Sequence, residues 1–341
     1  MRRLLNTLYV TNPNAYLARD GETVHVRVEQ VTKLKAPIHT LSGIVCFGHI
    51  LCSPSCMELC ARNGVTLSFL TEHGRFMARV HGPVSGNVLL RRAQYRAAED
   101  PDRRADLARG FVLGKVANAR TVLQRSNRDR ETPDPDLTDA VDRLADALSG
   151  LQRDATLDSL RGQEGDAART YFAVFDKLIT VQRDAFWFHE RNRRPPLDNV
   201  NALLSFLYTL ATHDVSSALE GVGLDPAVGF LHADRPGRPS LALDMVEEFR
   251  PYVADRLALT LINREQVRAK GFVQTETGGV TMDDDTRKEV LVAYQKRKQE
   301  EIRHPFLDER IPIGLLPHVQ ALLLARRLRG ELDAYPPFLW K

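Results

Sequence analysis

The feature that most constrains this chain is a change of hydrophobic rhythm near Val88. Before it, short segments rich in β-branched and aromatic residues alternate with turn signals. After it, apolar residues recur at helical spacing over long stretches. A period of two and a period of 3.6 bury different faces and belong to different architectures. The chain is therefore expected to be α+β with two domains: a β-sandwich-like N-terminal domain, 1–88, and an all-helical C-terminal domain, 89–341. Its 341 residues allow each part a core of its own.

In the first part, Leu8–Val10, Val24–Val28, Ile44–Phe47, Thr66–Leu70 and Phe76–Val80 read as strands. Asn12-Pro13-Asn14, Asp20-Gly21, His73-Gly74 and Gly82-Pro83 are turn signals between them, and Asp20-Gly21 marks a hairpin. One helix interrupts the strands, capped by Ser53 with Pro54 in its first turn and reaching Arg62. Cys52, Cys56 and Cys60 repeat every fourth residue along it. With Cys46 they read as reduced, buried small hydrophobes, because the paired spacing of a zinc site is missing. Thiols of this kind suit a cytoplasmic protein. No apolar run approaches the roughly eighteen residues of a membrane span, and the N-terminal apolar run is too short for a signal peptide.

In the second part, helical spacing begins at Asn87, Pro101 is expected to break it, and Asp102 to open the next helix, with Asp106 to Arg125 at its heart. Arg128 to Leu137 reads as a loop, Thr138 to Leu151 as a helix, and Thr156 as the cap of a helix from Leu157 to Phe175. Gln182 to Pro196 reads as an exposed aromatic and basic loop. Asn199 to Thr212 is the apolar candidate for the central helix and continues to Glu220. Arg250 to Asn263, Asp284 to Arg303 and Pro317 to Leu332 are further helices, Phe272–Gln274 and Val280–Met282 form a hairpin, and Ala334 to Lys341 is a loose tail.

The net charge is only +3 but unevenly spread. Asn87 to Arg130 holds eleven Lys/Arg against five Asp/Glu, whereas Glu131 to Asp166 holds ten acids against three bases. The basic block suits either a phosphate backbone or a solvated helix face. Nucleotide-binding glycine loops and the serine-hydrolase and zinc-protease signatures are missing, which removes those chemistries.

Two stretches carry chemistry. In Gly221 to Arg256, His232 lies before a polar loop, and Ser240 opens a helix on which Asp244 and Glu247, three apart, share a face. In Arg161 to Phe172, Glu164 stands between Gly162 and Gly165 inside a helical pattern. Glycine in a helix costs about 1 kcal/mol relative to alanine. Such a pair marks close approach of a backbone or a ligand, unless Glu164 merely caps a helix. Glu164, His232 and Glu247 together offer two carboxylates and an imidazole, a set suited to Mg²⁺ or Mn²⁺, with Asp244 orienting a ligand or water. A hard cation so held serves phosphoryl transfer.

Four ordered motifs give this set a family likeness: G-x-E-G-x-x-A-x-x-Y-F (Gly162 to Phe172), N-A-L-L-S-F-L-Y-T-L (Asn201 to Leu210), G-L-D-P-x-x-G-F-L-H (Gly223 to His232) and S-L-A-L-D-x-x-E-E-F-R-P (Ser240 to Pro251). Together they resemble the CRISPR adaptation integrase/endonuclease family, Cas one. The stretches LLNTLYVTNPNAYL and GRFMARVHGPVSGNVLLRRAQY resemble its subtype I-C branch, so the likeness covers nearly the whole chain.

The resemblance implies a homodimer joined through the N-terminal domains. Two such dimers flank a dimer of a small partner, Cas two, in a heterohexamer carrying double-stranded DNA. It implies transesterification in which a DNA 3′-hydroxyl attacks the CRISPR repeat, and metal-dependent endonuclease activity of the isolated protein. Glu164, His232 and Glu247 match the family's metal ligands, and Asp244 matches the acid one turn before the third. Glu247 stands where many members have aspartate. Tyr171 matches an aromatic position whose hydroxyl touches DNA or packs in the core.

Among the basic residues, Arg238 and Arg250 are candidates to hold phosphate, with Arg256 beside them. Arg91, Arg92 and Arg96 and the pair Arg193 and Arg194 are candidates for a backbone-tracking surface. Trp187, Phe188 and His189 either stack on a splayed DNA end or pack in the core. Whether His232 is a base or only a ligand stays open. Two other readings stay open as well: a stand-alone DNA repair nuclease, and a non-catalytic DNA-binding scaffold.

Overall fold

The computed structural model describes residues 7–41, 43–71, 76–80, 82, 88–153 and 156–340. The chain divides into a β-rich unit, Met1–Gly86 with Leu291–Glu301 and Pro312–Leu315, and a helical unit, Asn87–Val290 with Ile302–Ile311 and Leu316–Lys341. The fold class is α+β, as the two rhythms imply. The turn at His73-Gly74 and Pro83 of the Gly82-Pro83 turn lie outside the described residues.

The β-rich unit runs β1 (Thr7–Val10), β2 (Tyr16–Asp20), β3 (Thr23–Val28), β4 (Val31–Pro37), β5 (Gly43–Phe47), β6 (Leu51–Cys52), α1 (Pro54–Arg62), β7 (Thr66–Leu70) and β8 (Phe76–Val80). These make two four-stranded sheets, in the orders β1-β5-β7-β8 and β4-β3-β2-β6. β5 pairs in parallel with β1 and β7, and β8 closes that sheet antiparallel to β7. β2 and β3 form the Asp20-Gly21 hairpin, where Gly21 takes φ of 57°, a left-handed value that glycine adopts without strain. Leu17 and Val24 of one sheet, Ile44 and Leu67 of the other, and Leu59 of α1 share one core and are fully buried. Ser53 Oγ accepts from the Cys56 amide, with Pro54 in the first turn of α1. Cys46, Cys56 and Cys60 are free and buried in this core, so they serve packing.

The helical unit contains α2 (Val88–Glu99), α3 (Pro101–Arg128), α4 (Pro135–Leu151), α5 (Leu157–Ala173), α6 (Asn199–Val222), α7 (Ser240–Val246) and α8 (Arg256–Asn263). The hairpin β9 (Phe272–Gln274) and β10 (Val280–Met282), helix α9 (Asp284–Gln299), the ribbon β11 (Glu301–Arg303) and β12 (Arg310–Pro312), and α10 (Leu316–Leu328) follow. α9 belongs to the helical unit up to Val290 and to the β-rich unit beyond it. Helix α6 is the interior element, and Gly223 ends it with φ of 94°.

Several expectations need correction. α3 begins at Pro101, because the Asp100 side chain accepts from the amides of Asp102 and Arg103. α4 begins at Pro135, because Asp134 does the same for Asp136 and Leu137. In both Asp-Pro pairs the aspartate is the cap and the proline is the first helical residue, so proline opens the helix rather than breaking it. The helix expected from Arg250 to Asn263 starts instead as a π-helical turn, Arg250–Asp255, before α8. Pro251 has no amide to give to a regular ladder, and the Arg256 amide reaches back five residues to the Pro251 carbonyl, the spacing of a π-turn. The last residues of the helix expected to Arg303 leave it and become strand β11.

The segment from Gln182 to Pro196 is irregular but only partly exposed: Phe186 and Phe188 are buried, while Trp187 is 51 % exposed. The tail is not loose. Tyr335, Phe338 and Trp340 are buried, Phe338 packs on Phe249 and Tyr252, and Trp340 N donates to Asn118 Oδ1 on α3. No helix among the described residues is long and apolar enough to cross a membrane.

Candidate functional site

All the predicted acids and the histidine lie in the helical unit, and local packing explains their placing. Gly229 precedes the histidine loop, where a Cβ would fall 2.8 Å from Asp244 Oδ2 and from Ser240. This close approach lets the fully buried Asp244 gather the loop onto α7. Its Oδ2 accepts from the amides of Phe230 at 2.6 Å and Leu231 at 2.9 Å. Its Oδ1 accepts from the His232 amide at 2.9 Å and lies 2.6 Å from the ring Nδ1. Arg104 and Arg161 hold the same loop from the other side, donating to the carbonyls of Phe230 and Leu231. A carboxylate can only accept, so Nδ1 carries the hydrogen. With Nδ1 committed to Asp244, Nε2 is the ring nitrogen left for another partner, the arrangement that commonly orients a metal-binding histidine.

Glu164 on α5 and Glu247, just past α7, meet at a third residue, Lys115 of α3. The lysine amino group lies 2.8 Å from Glu247 Oε2 and in direct contact with Glu164 Oε1. Helix α3 comes this close because it has glycine next to the lysine. A Cβ at Gly114 would sit 2.7 Å from Glu248 Cγ. Arg250 donates to the other Glu247 oxygen at 2.6 Å and lies over the Tyr208 ring at 4.8 Å. Burial would raise the pKa of Glu247, but Arg250 and Lys115, with a smaller effect of His232, overcome it and hold the carboxyl down to about 2. Burial pulls Lys115 down, but Glu247 and Glu164 more than offset it, so its pKa is raised. Both partners are therefore charged. The pair of glycines around Glu164 faces open space, with no atom near a Cβ built at Gly162 or Gly165. They are not there for a neighbouring backbone.

A cavity of about 570 Å³ adjoins the cluster, lined among others by Lys115, Glu164, Arg191, Tyr208, Arg250 and Asp255. Tyr171 also lines it but is 3 % exposed, and its hydroxyl is committed to Asp255 Oδ2 at 3.0 Å. Its hydroxyl therefore serves the interior in this structure. Asp255 also accepts from Tyr208 at 2.6 Å. Burial pushes this aspartate up to about 6, against the pull of the two hydroxyls, Arg250 and Arg191.

The basic candidates separate into groups. Arg91, Arg92 and Arg96 stand on α2, with Arg92 and Arg96 exposed. Arg193 and Arg194 are exposed, and Arg193 lines the cavity. Arg238 is half-buried, and partial burial followed by Arg235, with Arg193 and Arg194 contributing, lowers its pKa against the pull of Asp244. Four guanidinium groups thus share one neighbourhood beside the histidine loop. Arg250 is the exception, an interior cation committed to Glu247.

Sequence reasoning missed Lys115, Arg104 and Arg161. Lys115 had a visible signal, a cation in the apolar run F-V-L-G-K-V, but its two partners are distant in the chain.

The donors suit a hard divalent cation in kind: two carboxylates, a tautomer-fixed imidazole, and a buried Glu247 Oε2 that receives no hydrogen bond despite its ion pair. They are not pre-assembled as a ligand set. Among the described residues no three of His, Cys, Asp or Glu stand ready to hold an ion, and the lysine amino group lies between the two glutamates.

Against known proteins, the family described as CRISPR associated protein Cas1 matches residues 8–296. Over the whole of both chains, this one is 56 % identical to the CRISPR-associated endonuclease Cas1 1 of Chlorobaculum tepidum. It is 53 % identical, again over the whole of both, to the CRISPR-associated endonuclease Cas1 2 of Rhodospirillum rubrum. Among solved structures, a CAS1 protein from Thermotoga maritima superposes with TM-score 0.84 at 23 % identity, covering 97 % of this chain and 99 % of that one. A casposase bound to its integration product superposes with TM-score 0.83 at 21 % identity, covering 98 % and 94 %. At such identities the two structures bear on the fold alone.

Proposed function

The chain belongs to the CRISPR-associated Cas1 family, and on that premise we propose that it is a divalent-metal-dependent DNA endonuclease and integrase. In this reading it joins the 3′-hydroxyl ends of a short duplex to a CRISPR repeat by transesterification. The observation that carries the proposal is the convergence of Glu164 and Glu247 on one cation position, with His232 locked by Asp244. Those residues would hold Mg²⁺ or Mn²⁺, which when bound supplies Lewis-acid charge to the phosphodiester.

The remaining work falls to the chain itself. Asp244 fixes the tautomer and aim of His232. Arg250 keeps Glu247 ionised, so that the carboxylate is always an acceptor. Arg193, Arg194 and Arg238 offer fixed positive charge to the DNA backbone beside the loop, and Arg91, Arg92 and Arg96 extend that charge along α2. The cavity beside Glu164 accepts a strand end, with Tyr208 and Arg250 forming its polar wall. Tyr171 acts through Asp255 rather than by touching DNA.

The curated relatives carry the name endonuclease, and one similar structure is a Cas6-RT-Cas1–Cas2 complex. We therefore propose the same kind of assembly here: homodimers through the β-rich domain, 1–88, two of them around a Cas2 dimer in a heterohexamer. The N-terminal motifs further support the subtype I-C branch.

The test supplies Mg²⁺ or Mn²⁺, a duplex with free 3′-hydroxyl ends, the Cas2 partner and a plasmid carrying the repeat. Joined strands are expected, and chelator or His232→Ala should abolish them while the circular dichroism spectrum stays unchanged. Normal joining by folded His232→Ala overturns the assignment. Cut strands without joined ones, independent of the partner, would favour a repair nuclease.

A further inference from the structure

Lys115 is the one member of the acidic cluster that neither the motifs nor the proposed metal chemistry calls for. Its side chain is 14 % exposed, and its amino group touches Glu164 Oε1 and lies 2.8 Å from Glu247 Oε2. One ammonium therefore stands between the two carboxylates expected to share a divalent ion. Two cations cannot occupy one space between the same two oxygens, and like charges a few ångströms apart repel strongly in a buried site. The lysine also has somewhere to go, because Lys115 and Glu164 line the adjoining cavity of about 570 Å³.

We propose that Lys115 is a built-in occupant of the metal position. It holds Glu164 and Glu247 together until a divalent cation displaces its amino group, which then moves into the cavity where the DNA phosphate is received. Lys115 is thus a positioning residue that sets the metal affinity of the site and couples metal loading to a new positive charge facing the substrate. Four methylenes allow that swing without movement of α3, whose position Gly114 fixes against Glu248. The inference rests on the metal site proposed above.

The test is direct binding of Mn²⁺ to the DNA-free protein, followed by electron paramagnetic resonance or calorimetry, with Glu247→Gln identifying binding at this site. Removing the competitor in Lys115→Met should tighten Mn²⁺ binding at least about tenfold, a gain of about 1.4 kcal/mol. Unchanged or weaker binding in Lys115→Met overturns the displacement. Should that variant not fold, the wild-type protein decides. Its Lys115 amine should be protected from an amine-acylating reagent in chelator and become reactive in saturating Mn²⁺, read by peptide mass spectrometry. Equal protection with and without Mn²⁺ overturns the proposal. If Mn²⁺ binds the wild type, is lost in Glu247→Gln, and yet leaves Lys115 protected, only the lysine's role fails. If no Mn²⁺ binds in a Glu247-dependent way, the metal reading fails and the lysine's role fails with it.

Discussion

Glu247 and Glu248 are consecutive, both are almost fully buried, and they have opposite electrostatic fates. Glu247 turns toward the cations Arg250 and Lys115 and is held down to about 2. Glu248 turns toward neutral donors only: Tyr335 at 2.6 Å, the Phe338 amide at 2.7 Å and Gln320 at 3.0 Å. Burial there wins over those hydrogen bonds and pushes the carboxyl up to about 8. The backbone turn between α7 and the π-helical segment thus sends one acid into the cavity side and the next into the C-terminal strap. The contrast shows that burial alone does not set a carboxylate's charge; the sign of its neighbours does. It also separates two tasks. Glu247 is kept ionised, as the proposed metal site requires, and Glu248 ties Tyr335, Phe338 and Gln320 to the segment that carries Glu247.

The sharpest way to break this contrast is to neutralise Glu247. Glu247→Gln leaves Arg250 and Lys115 buried without their full counter-charge, a kind of loss that costs about 3–5 kcal/mol. Urea unfolding in chelator should report it, and a loss below about 1 kcal/mol would mean that the cations find other partners. The strap side should give the next largest effect. Phe338 is fully buried against Phe249 and Tyr252, so Phe338→Ala should cost about 3 kcal/mol or more in the same assay. It should also weaken Mn²⁺-dependent cleavage if the strap truly positions Glu247. An unchanged kcat in a destabilised protein would confine the strap to stability.

A smaller effect belongs to the loop that joins His232 to this region. A Cβ at Gly229 falls 2.8 Å from both Asp244 and Ser240, so Gly229→Ala must push α7 and the loop apart, at about 1–3 kcal/mol. Asp244→Asn keeps the shape but turns one oxygen into a donor facing the Phe230, Leu231 or His232 amides. Losses of about 10–100-fold in metal affinity are typical for such supporting groups. Metal titration of both variants separates a displaced histidine from a misoriented one.

These effects differ in how far the sequence announces them. The five β segments, the Ser53-Pro54 start of α1 and the Thr156 cap of α5 are local signals, and each appears where residues a few positions apart imply it. The acids and histidine of the candidate site stood out in the sequence as chemistry, because a carboxylate between two glycines and a lone histidine before a polar loop are unusual in themselves. Their arrangement was not legible. Lys115 is separated from Glu164 by 49 residues, and nothing local says that a lysine in an apolar helix will find two acids. The strap was misread for a related reason. Y-P-P-F-L-W has prolines that forbid a helix and aromatics that need burial, and without periodicity the aromatics were the only clue. For Tyr171 the sequence leaves a DNA contact and a core role open, and only its partner Asp255, 84 residues on, favours the interior.

The pH dependence of Glu248 sharpens the comparison most, because it isolates charge from contacts. With its folded-state value raised from the usual 4.5 to about 8, Glu248 holds a proton in the folded protein that the unfolded chain has released across that window. The folded state then binds more protons than the unfolded one, so this group's contribution is fully present below pH 4.5. It declines as pH rises, by up to about 1.4 kcal/mol per pH unit, and is gone above about 8. Glu248→Gln keeps the shape and the neutral state at every pH. The stability of the wild type relative to this variant should therefore fall between pH 5 and 8, measured by urea unfolding at fixed ionic strength. Glu247 has the opposite sign: with its value lowered to about 2, its contribution is complete above the usual 4.5 and disappears only as pH falls toward 2. A pH-independent difference between wild type and Glu248→Gln would mean that the strap stabilises the carboxylate after all. The two neighbouring acids would then differ in their partners but not in their charge.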